Sequence, residues 1–279
     1  QQIRRFFSYL PPNVWGAPPC PATTDPADRR EDGLLGIVPR ERRQPYKVRK
    51  ILEWVFASGS VFEMGARSGG SLVTALARLD GRPVGVLASD PNHYGGGLTG
   101  AAADKLVRFV DLCDQFRLPV VNMVDQPGFV IGTDAEKANT MRRGARALAA
   151  VYQAEVPWAV VLMRKAFGIA GAGHANHARL SLRVAWPSGD WGSLPIEGGI
   201  EAAYRRELEA AEDPAAHRAE IVERLDAVRS PFRTAEHFGV EEIIDPRDTR
   251  RLLCDWASHA HELVRHEVSL GPRARGLRP

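Results

Sequence analysis

The residues best suited to chemistry in this chain are glycines, gathered in three stretches: Gly95-Gly96-Gly97, Pro127-Gly128 and Gly168-Ile169-Ala170-Gly171-Ala172-Gly173. A glycine puts no side chain between the backbone and a ligand. A glycine-rich turn that enters a helix also aims unpaired N–H groups at one point. Convergent amides of this kind stabilise an enolate or a tetrahedral oxyanion, at roughly 3 kcal/mol of transition-state energy per donor. The same glycines would equally serve tight packing of helices on strands, so both readings stand for each loop.

Other groupings carry less. Gly168, Gly171 and Gly173 run in the reverse order of the dinucleotide fingerprint, which argues against that site. His174 and His177 stand three apart and could share a metal, but no third ligand accompanies them, so no metal is expected. Asp125 and Glu197 open loops where an acid or base could act, or where a carboxylate could order the turn. Ser68, within Ala66-Arg67-Ser68-Gly69-Gly70, mimics a nucleophile elbow but precedes a hairpin strand instead of a helix.

The elements that must position these residues can be read from hydrophobic periodicity. Residues 11–45 are rich in Pro, Asp and Arg and lack period 2 or 3.6, which reads as an extended connector. A short amphipathic helix is expected from Tyr46 to Gly59, then two apolar runs around Asp80-Gly81, a strong hairpin signal. Three strand–loop–helix units follow. Their strands are 83–89, 119–125 and 156–163, their loops 90–98, 126–132 and 164–173, and their helices 99–116, 134–153 and a short third one. Near-continuous apolar strands suit a sheet buried on both faces, with the working loops at the strand C-terminal ends. A further apolar run at 181–187 leads into helices extending to about Arg229, and 251–268 reads as a terminal amphipathic helix.

Composition narrows the function classes. The chain has 279 residues, 44% hydrophobic and 25% charged, which excludes wholesale disorder and a disulfide-stapled miniprotein. The longest apolar run, Val156 to Met163, falls far short of the ~20 residues that cross a bilayer. Without Arg273, Arg275 and Arg278 of the last nine residues, 34 basic residues balance 34 acidic ones, so the body offers no footprint for nucleic acid. The three cysteines, Cys20, Cys113 and Cys254, are odd in number and far apart, which suits free thiols in a reducing cytoplasm. The opening QQIRRFFSYLPP has no initiator Met and no signal-like core, and reads as a chain whose natural start lies elsewhere.

Taken together, the motifs resemble the C-terminal half of the carboxyltransferase (β) subunit of biotin-dependent acyl-CoA carboxylases, the propionyl-CoA and methylmalonyl-CoA carboxyltransferase family. IRRFFSYLPPN and DPADRRED resemble its inter-domain connector, LVTALARLDGRPVGVLA its signature hairpin, and DKLVRFVDLCDQFRLPVV its first long helix. DQPGFVIGTDAE resembles the family's D-x-P-G-F loop, RKAF with AWPS brackets its active-site turn, and SPFRTAEHFGVEEIIDPRDTR resembles its C-terminal segment.

The resemblance implies an α/β crotonase-like (ClpP/crotonase) ββα-superhelix. It divides the chain into a connector over 1–45, the crotonase-like carboxyltransferase C-terminal domain over 46–270 and a basic tail over 271–279. The implied activity moves a carboxyl group from carboxybiotin to the α-carbon of an acyl-CoA through an enolate held by backbone amides. Biotin would ride on a separate carrier, with acyl-CoA as substrate. Implied partners are an N-terminal-half carboxyltransferase domain or subunit, a biotin carboxyl carrier and a biotin carboxylase, in a homo- or hetero-oligomer such as a trimer of dimers.

Carried over by position, the oxyanion amides fall on Gly168, Ile169 and Ala170; Gly128, Phe129, Phe167, Gly171, Ala172 and Glu197 would line the substrate and biotin side. Ala172 stands at the position associated with acyl-chain selectivity. Departures cluster here: Ile169 replaces a glycine, Glu136-Lys137-Ala138-Asn139 replaces E-x-G-G, and Leu194-Pro195-Ile196-Glu197-Gly198-Gly199 replaces M-G-x-[QE]-G-A. A crotonase-fold decarboxylase or hydratase without biotin, or a non-catalytic scaffold subunit, stays open beside the carboxyltransferase reading.

Overall fold

Among the described residues, eight strands support the glycine loops, and the apolar runs fix how they pair. The computed structural model describes residues 1–192, 196–227, 229–237 and 239–270. Strands β1 (Phe62–Met64), β2 (Leu72–Leu79) and β3 (Arg82–Ser89) form an antiparallel edge. Then β4 (Val120–Gln126), β5 (Trp158–Phe167), β6 (Ser181–Ala185) and β8 (Glu242–Ile243) continue the sheet in parallel, and β7 (Asp190–Gly192) also pairs with β5.

The hairpin forms where the sequence places it. Asp80 and Gly81 take φ of +48° and +77°, with Leu79 facing Arg82. Two successive positive φ values give the primed turn whose twist matches the flanking strands. A Cβ on Gly81 would also collide with the carbonyl oxygen of Pro21, so the turn seats the N-terminal segment. Gly81→Ala is therefore expected to cost about 1–3 kcal/mol in urea denaturation and to open residues 18–26 to protease. Unchanged stability and cleavage would contradict this.

Helices cover both faces. The segment 1–45 holds α1 (Gln2–Phe7) and a 3₁₀ turn at Asp32–Leu35. In α2 (Val48–Val55), Val48, Ile51, Leu52 and Val55 make one buried stripe. Helix α3 (Gly100–Gln115) starts where the Thr99 hydroxyl accepts from the Ala102 amide at 3.1 Å. The single helix expected over 134–153 is two, α4 (Thr133–Lys137) and α5 (Thr140–Gln153). They are broken at Asn139, whose φ is +54°, a conformation asparagine tolerates better than most residues.

The loop expected over 164–173 is also replaced: β5 runs to Phe167, and α6 (Gly168–Ala172) begins at the next residue. Beyond β7, α7 (Ile196–Ala203), α8 (Arg205–Ala210) and α9 (Pro214–Asp226) gather around Ile200 and Ile221, apart from the main core. Helices α10 (Pro231–Glu236) and α11 (Thr249–Ser269) complete the chain; residues 271–279 lie outside the described part.

Strand alternation divides the core. Val120 and Val124 of β4 join Leu87, Leu162 and the inner faces of α3 and α5, while Val121 and Met123 join Val161, Ile51 and Leu253 under α2 and α11. The antiparallel pair β2–β3 followed by a helix, then parallel βα crossovers, is the ββα arrangement of the crotonase-like fold. Arg250, 1% exposed, ties the N-terminal segment down by donating to the carbonyls of Pro26 (2.8 Å) and Val55 (3.0 Å). No helix among the described residues is long and apolar enough to cross a membrane.

Candidate functional site

The site is built at the C-terminal end of β5, where the ladder breaks. Val124 pairs with Leu162, but Gln126 pairs with Ala166, so β5 spends three residues against one of β4. Such a bulge leaves amides without their ladder partners and bends the strand. The Asp125 carboxylate fills the gap: it accepts from the Lys165 amide at 3.0 Å and from Arg164 Nε at 3.1 Å and Nη2 at 2.8 Å. Asp125 is fully buried and Arg164 4% exposed. Of the two roles open for Asp125 in sequence, this geometry is the loop-ordering one. Past the bulge, Lys165, Ala166 and Phe167 pair with β7 instead of β6.

Gly168 turns this strand end directly into α6. Its φ is +60°, a left-handed conformation that costs an L-residue about 1–2 kcal/mol. The first amides of a helix have no acceptor inside it, so those of Ile169 and Ala170 emerge at the turn. The direction of these amides is set by Gly168. Ile169 lies within α6 and is not among the residues with positive φ, so its position makes no demand for glycine. Its side chain is 64% exposed, carried on the outside of the turn. Ala170 and Gly171 are buried and Ala172 is exposed.

Two further contacts pin the turn. Phe167, 1% exposed, lies with its ring 5.1 Å from the guanidinium of Arg229, and Arg229 is in turn held by Asp190 through Nε at 2.6 Å. At the far end of α6, the His174 carbonyl accepts from Asn122 Nδ2 at 2.9 Å and Trp158 Nε1 at 3.0 Å. The His174 ring donates from Nδ1 to the Gly171 carbonyl. His174 is buried and His177 exposed, and among the described residues no three metal-ligating side chains come together.

All three glycine stretches meet here. The Leu98 amide donates to the Gly128 carbonyl at 2.9 Å, and the Val130 amide to the Leu98 carbonyl at 3.1 Å, joining the first loop to the second. Gly128, with φ of +121°, lies so close to the β5 end that a Cβ would stand 3.8 Å from the Phe167 carbonyl. Phe129 is half-buried against Gly144 of α5. Glu197 falls on α7, where its side chain is outside the described part. The contacts that sequence reasoning missed are the Asp125–Arg164 clamp and the Asp190–Arg229–Phe167 pin. Both join residues 39 apart, with no local signal.

Burial pushes the His174 imidazole down to about 4, and burial does the same to His261, whose Nε2 donates to the Pro83 carbonyl at 2.9 Å. An unfolded histidine takes its proton near pH 6.5. Both folded values lie lower, so the unfolded chain binds more protons between these limits. Stability is therefore complete above about 6.5 and lost as pH falls toward 4. On the order of 2 kcal/mol per histidine is expected to go between pH 7 and pH 5. Urea midpoints at the two pH values check this; equal midpoints, or an unchanged difference in the His174→Gln, His261→Gln double variant, would contradict it.

Residues 1–269 match the family described as carboxyl transferase domain. The chain is 38% identical over 256 residues to the carboxyltransferase subunit of propionyl-CoA carboxylase from Haloferax mediterranei, covering 91% of this chain and 50% of that one. It is 38% identical over 220 residues to the methylmalonyl-CoA carboxyltransferase 12S subunit of Propionibacterium freudenreichii subsp. shermanii, covering 78% of this chain and 42% of the other. Among solved structures, a transcarboxylase 12S hexamer with methylmalonyl-CoA bound superposes with a TM-score of 0.83 at 31% identity, covering 99% of this chain and 52% of that one. The chain thus spans about half the length of the curated relatives it matches.

Proposed function

Because the chain belongs to the carboxyl transferase domain family, we propose that it supplies the biotin-facing half of an acyl-CoA carboxylase carboxyltransferase site. What supports this most is the turn at Gly168, which delivers the Ile169 and Ala170 amides beside the Gly128–Phe129 loop. Biotin, carried on a separate protein, would supply the transferable carboxyl group and a ureido oxygen on which negative charge develops. The donor set suits that oxygen: it is backbone, fixed by a bulge and two pinned side chains, and offers N–H groups without a competing carboxylate on α6.

In this reading, Gly168 sets the direction of the two amides. Gly128, Phe129 and Phe167 shape the wall of the slot, and Gly171 seats α6 on Ala166. Ala172, exposed on α6, would stand on the acyl side, and Glu197, on α7, keeps the lining role that the resemblance implies. The residues holding the acyl-CoA would come from an N-terminal-half partner, matching the roughly half-length overlap with the relatives. A biotin carboxyl carrier and a biotin carboxylase complete the cycle, and the hexamer assembly of the transcarboxylase 12S neighbour makes a trimer of dimers the assembly to expect. A cytoplasmic setting fits the free thiols of Cys20, Cys113 and Cys254.

The biotin-facing assignment can be tested on the full chain labelled with nitrogen-15. Titration with a biotinylated carrier domain is expected to shift the Ile169 and Ala170 amide signals. Acyl-CoA alone should leave them in place. Signals that respond to acyl-CoA and ignore the carrier would overturn the assignment.

A further inference from the structure

Beside Asp125, β4 ends on a second buried polar residue. Gln126 is 7% exposed, and its backbone is fixed by pairing with Ala166 across the bulge. Its side chain turns onto the loop it opens, where Oε1 accepts from the Gly128 amide at 3.0 Å. In the D-x-P-G-F loop, Gln126 stands at the open position.

This bond is the first of three that run through the glycine loops. The Gly128 carbonyl accepts from the Leu98 amide at 2.9 Å, and the Leu98 carbonyl from the Val130 amide at 3.1 Å. Gly128 is thus held twice, at its amide by Gln126 and at its carbonyl by Leu98. A glycine needs such holding, because no side chain restricts its backbone, and here φ is +121°. A Cβ on Gly128 would stand 3.8 Å from the Phe167 carbonyl, so the loop rests against the strand end that delivers the Ile169 and Ala170 amides.

The same bond sorts the amides of the site. A backbone N–H is a single donor, and that of Gly128 is already spent on Gln126. Those of Ile169 and Ala170 open α6 and have no acceptor within the helix. A developing oxyanion therefore meets the α6 pair, with Gly128 serving as wall.

We propose that Gln126 is a positioning residue for carboxyl transfer. Its Oε1 holds the Gly128–Phe129 loop in the shape that admits the biotin head, and it withholds the Gly128 amide from the reacting oxygen. Gln126 acts through Gly128, and its role rests on the biotin-facing reading of the site.

The test compares Gln126→Met, which keeps side-chain length but loses the strong acceptor, with Gln126→Glu, which keeps one. In the full chain labelled with nitrogen-15, the Gly128 amide is expected to exchange with solvent about tenfold faster in Gln126→Met, the worth of one hydrogen bond. Gln126→Glu should leave that amide protected. The Gly85 amide, which donates to the Pro119 carbonyl at 2.9 Å, is the control and should exchange as in the parent. In the reconstituted enzyme, Gln126→Met is expected to raise the KM for the carboxylated carrier about tenfold, with the KM for acyl-CoA unchanged. Gln126→Glu should raise the carrier KM less. Unchanged Gly128 exchange in Gln126→Met, or an acyl-CoA KM that rises in step with the carrier KM, would overturn the proposal. An active parent matched by Gln126→Met would sink this inference alone, whereas a parent that transfers nothing would sink the biotin-facing reading and this role with it.

Discussion

Gly168→Val is expected to lower carboxyl transfer by two to three orders of magnitude in the reconstituted enzyme while the KM for acyl-CoA stays within about twofold. Gly168 holds φ of +60° between a strand and a helix with no intervening loop. A β-branched residue cannot take that conformation without strain, so the turn would relax by rotating the peptide planes that follow it. Those planes carry the Ile169 and Ala170 amides, and removing a single oxyanion donor typically costs a factor of ~10²–10³. Acyl-CoA would be held by the other half-site, so its KM serves as the control. Gly168→Ala, which strains the backbone without β-branching, should fall between the two. Transfer within threefold of the parent in Gly168→Val would remove these amides from the mechanism.

The second large effect is on stability. Asp125→Asn is expected to cost about 3–5 kcal/mol in urea denaturation, because it strands the Arg164 guanidinium, 4% exposed, without a counter-charge. The Lys165 amide would also lose half of a well-matched acceptor at the bulge. Pairing the change with Arg164→Met removes the orphaned charge and should recover most of the loss, since a buried ion pair replaced whole is often close to neutral. A cost below 1 kcal/mol for Asp125→Asn, or no recovery in the double variant, would show that the clamp does not hold the β5 end.

What could be read from the sequence divides along physical lines. The hairpin at Asp80-Gly81 was legible because two turn residues decide it locally, and the buried strands because their apolar runs need no partner to be identified. Meeting of the three glycine loops follows from a parallel sheet, which sends every strand end to one edge. The break of the 134–153 helix at Asn139 was hidden, since Glu136, Lys137 and Ala138 before it and Met141, Arg142 and Arg143 beyond Thr140 are good helix formers.

The β5 end was misread for the opposite reason. Arg164-Lys165 looks like a loop start by polarity, yet both stay in the strand because Asp125, 39 residues earlier, supplies the missing charge and acceptor. At Ile169, which replaces a glycine, the backbone does not have positive φ; the left-handed conformation of the turn falls on Gly168.

The most direct test of the proposed function is transfer of carbon-14 carboxyl from a carboxylated biotin carrier to short acyl-CoAs. The assay would be run with this chain alone, with an N-terminal-half partner alone, and with both. The half-site reading predicts labelled product only with both present, and its loss in Gly168→Val. No labelled product from the complete mixture with any short acyl-CoA, or equal product when this chain is left out, would contradict it.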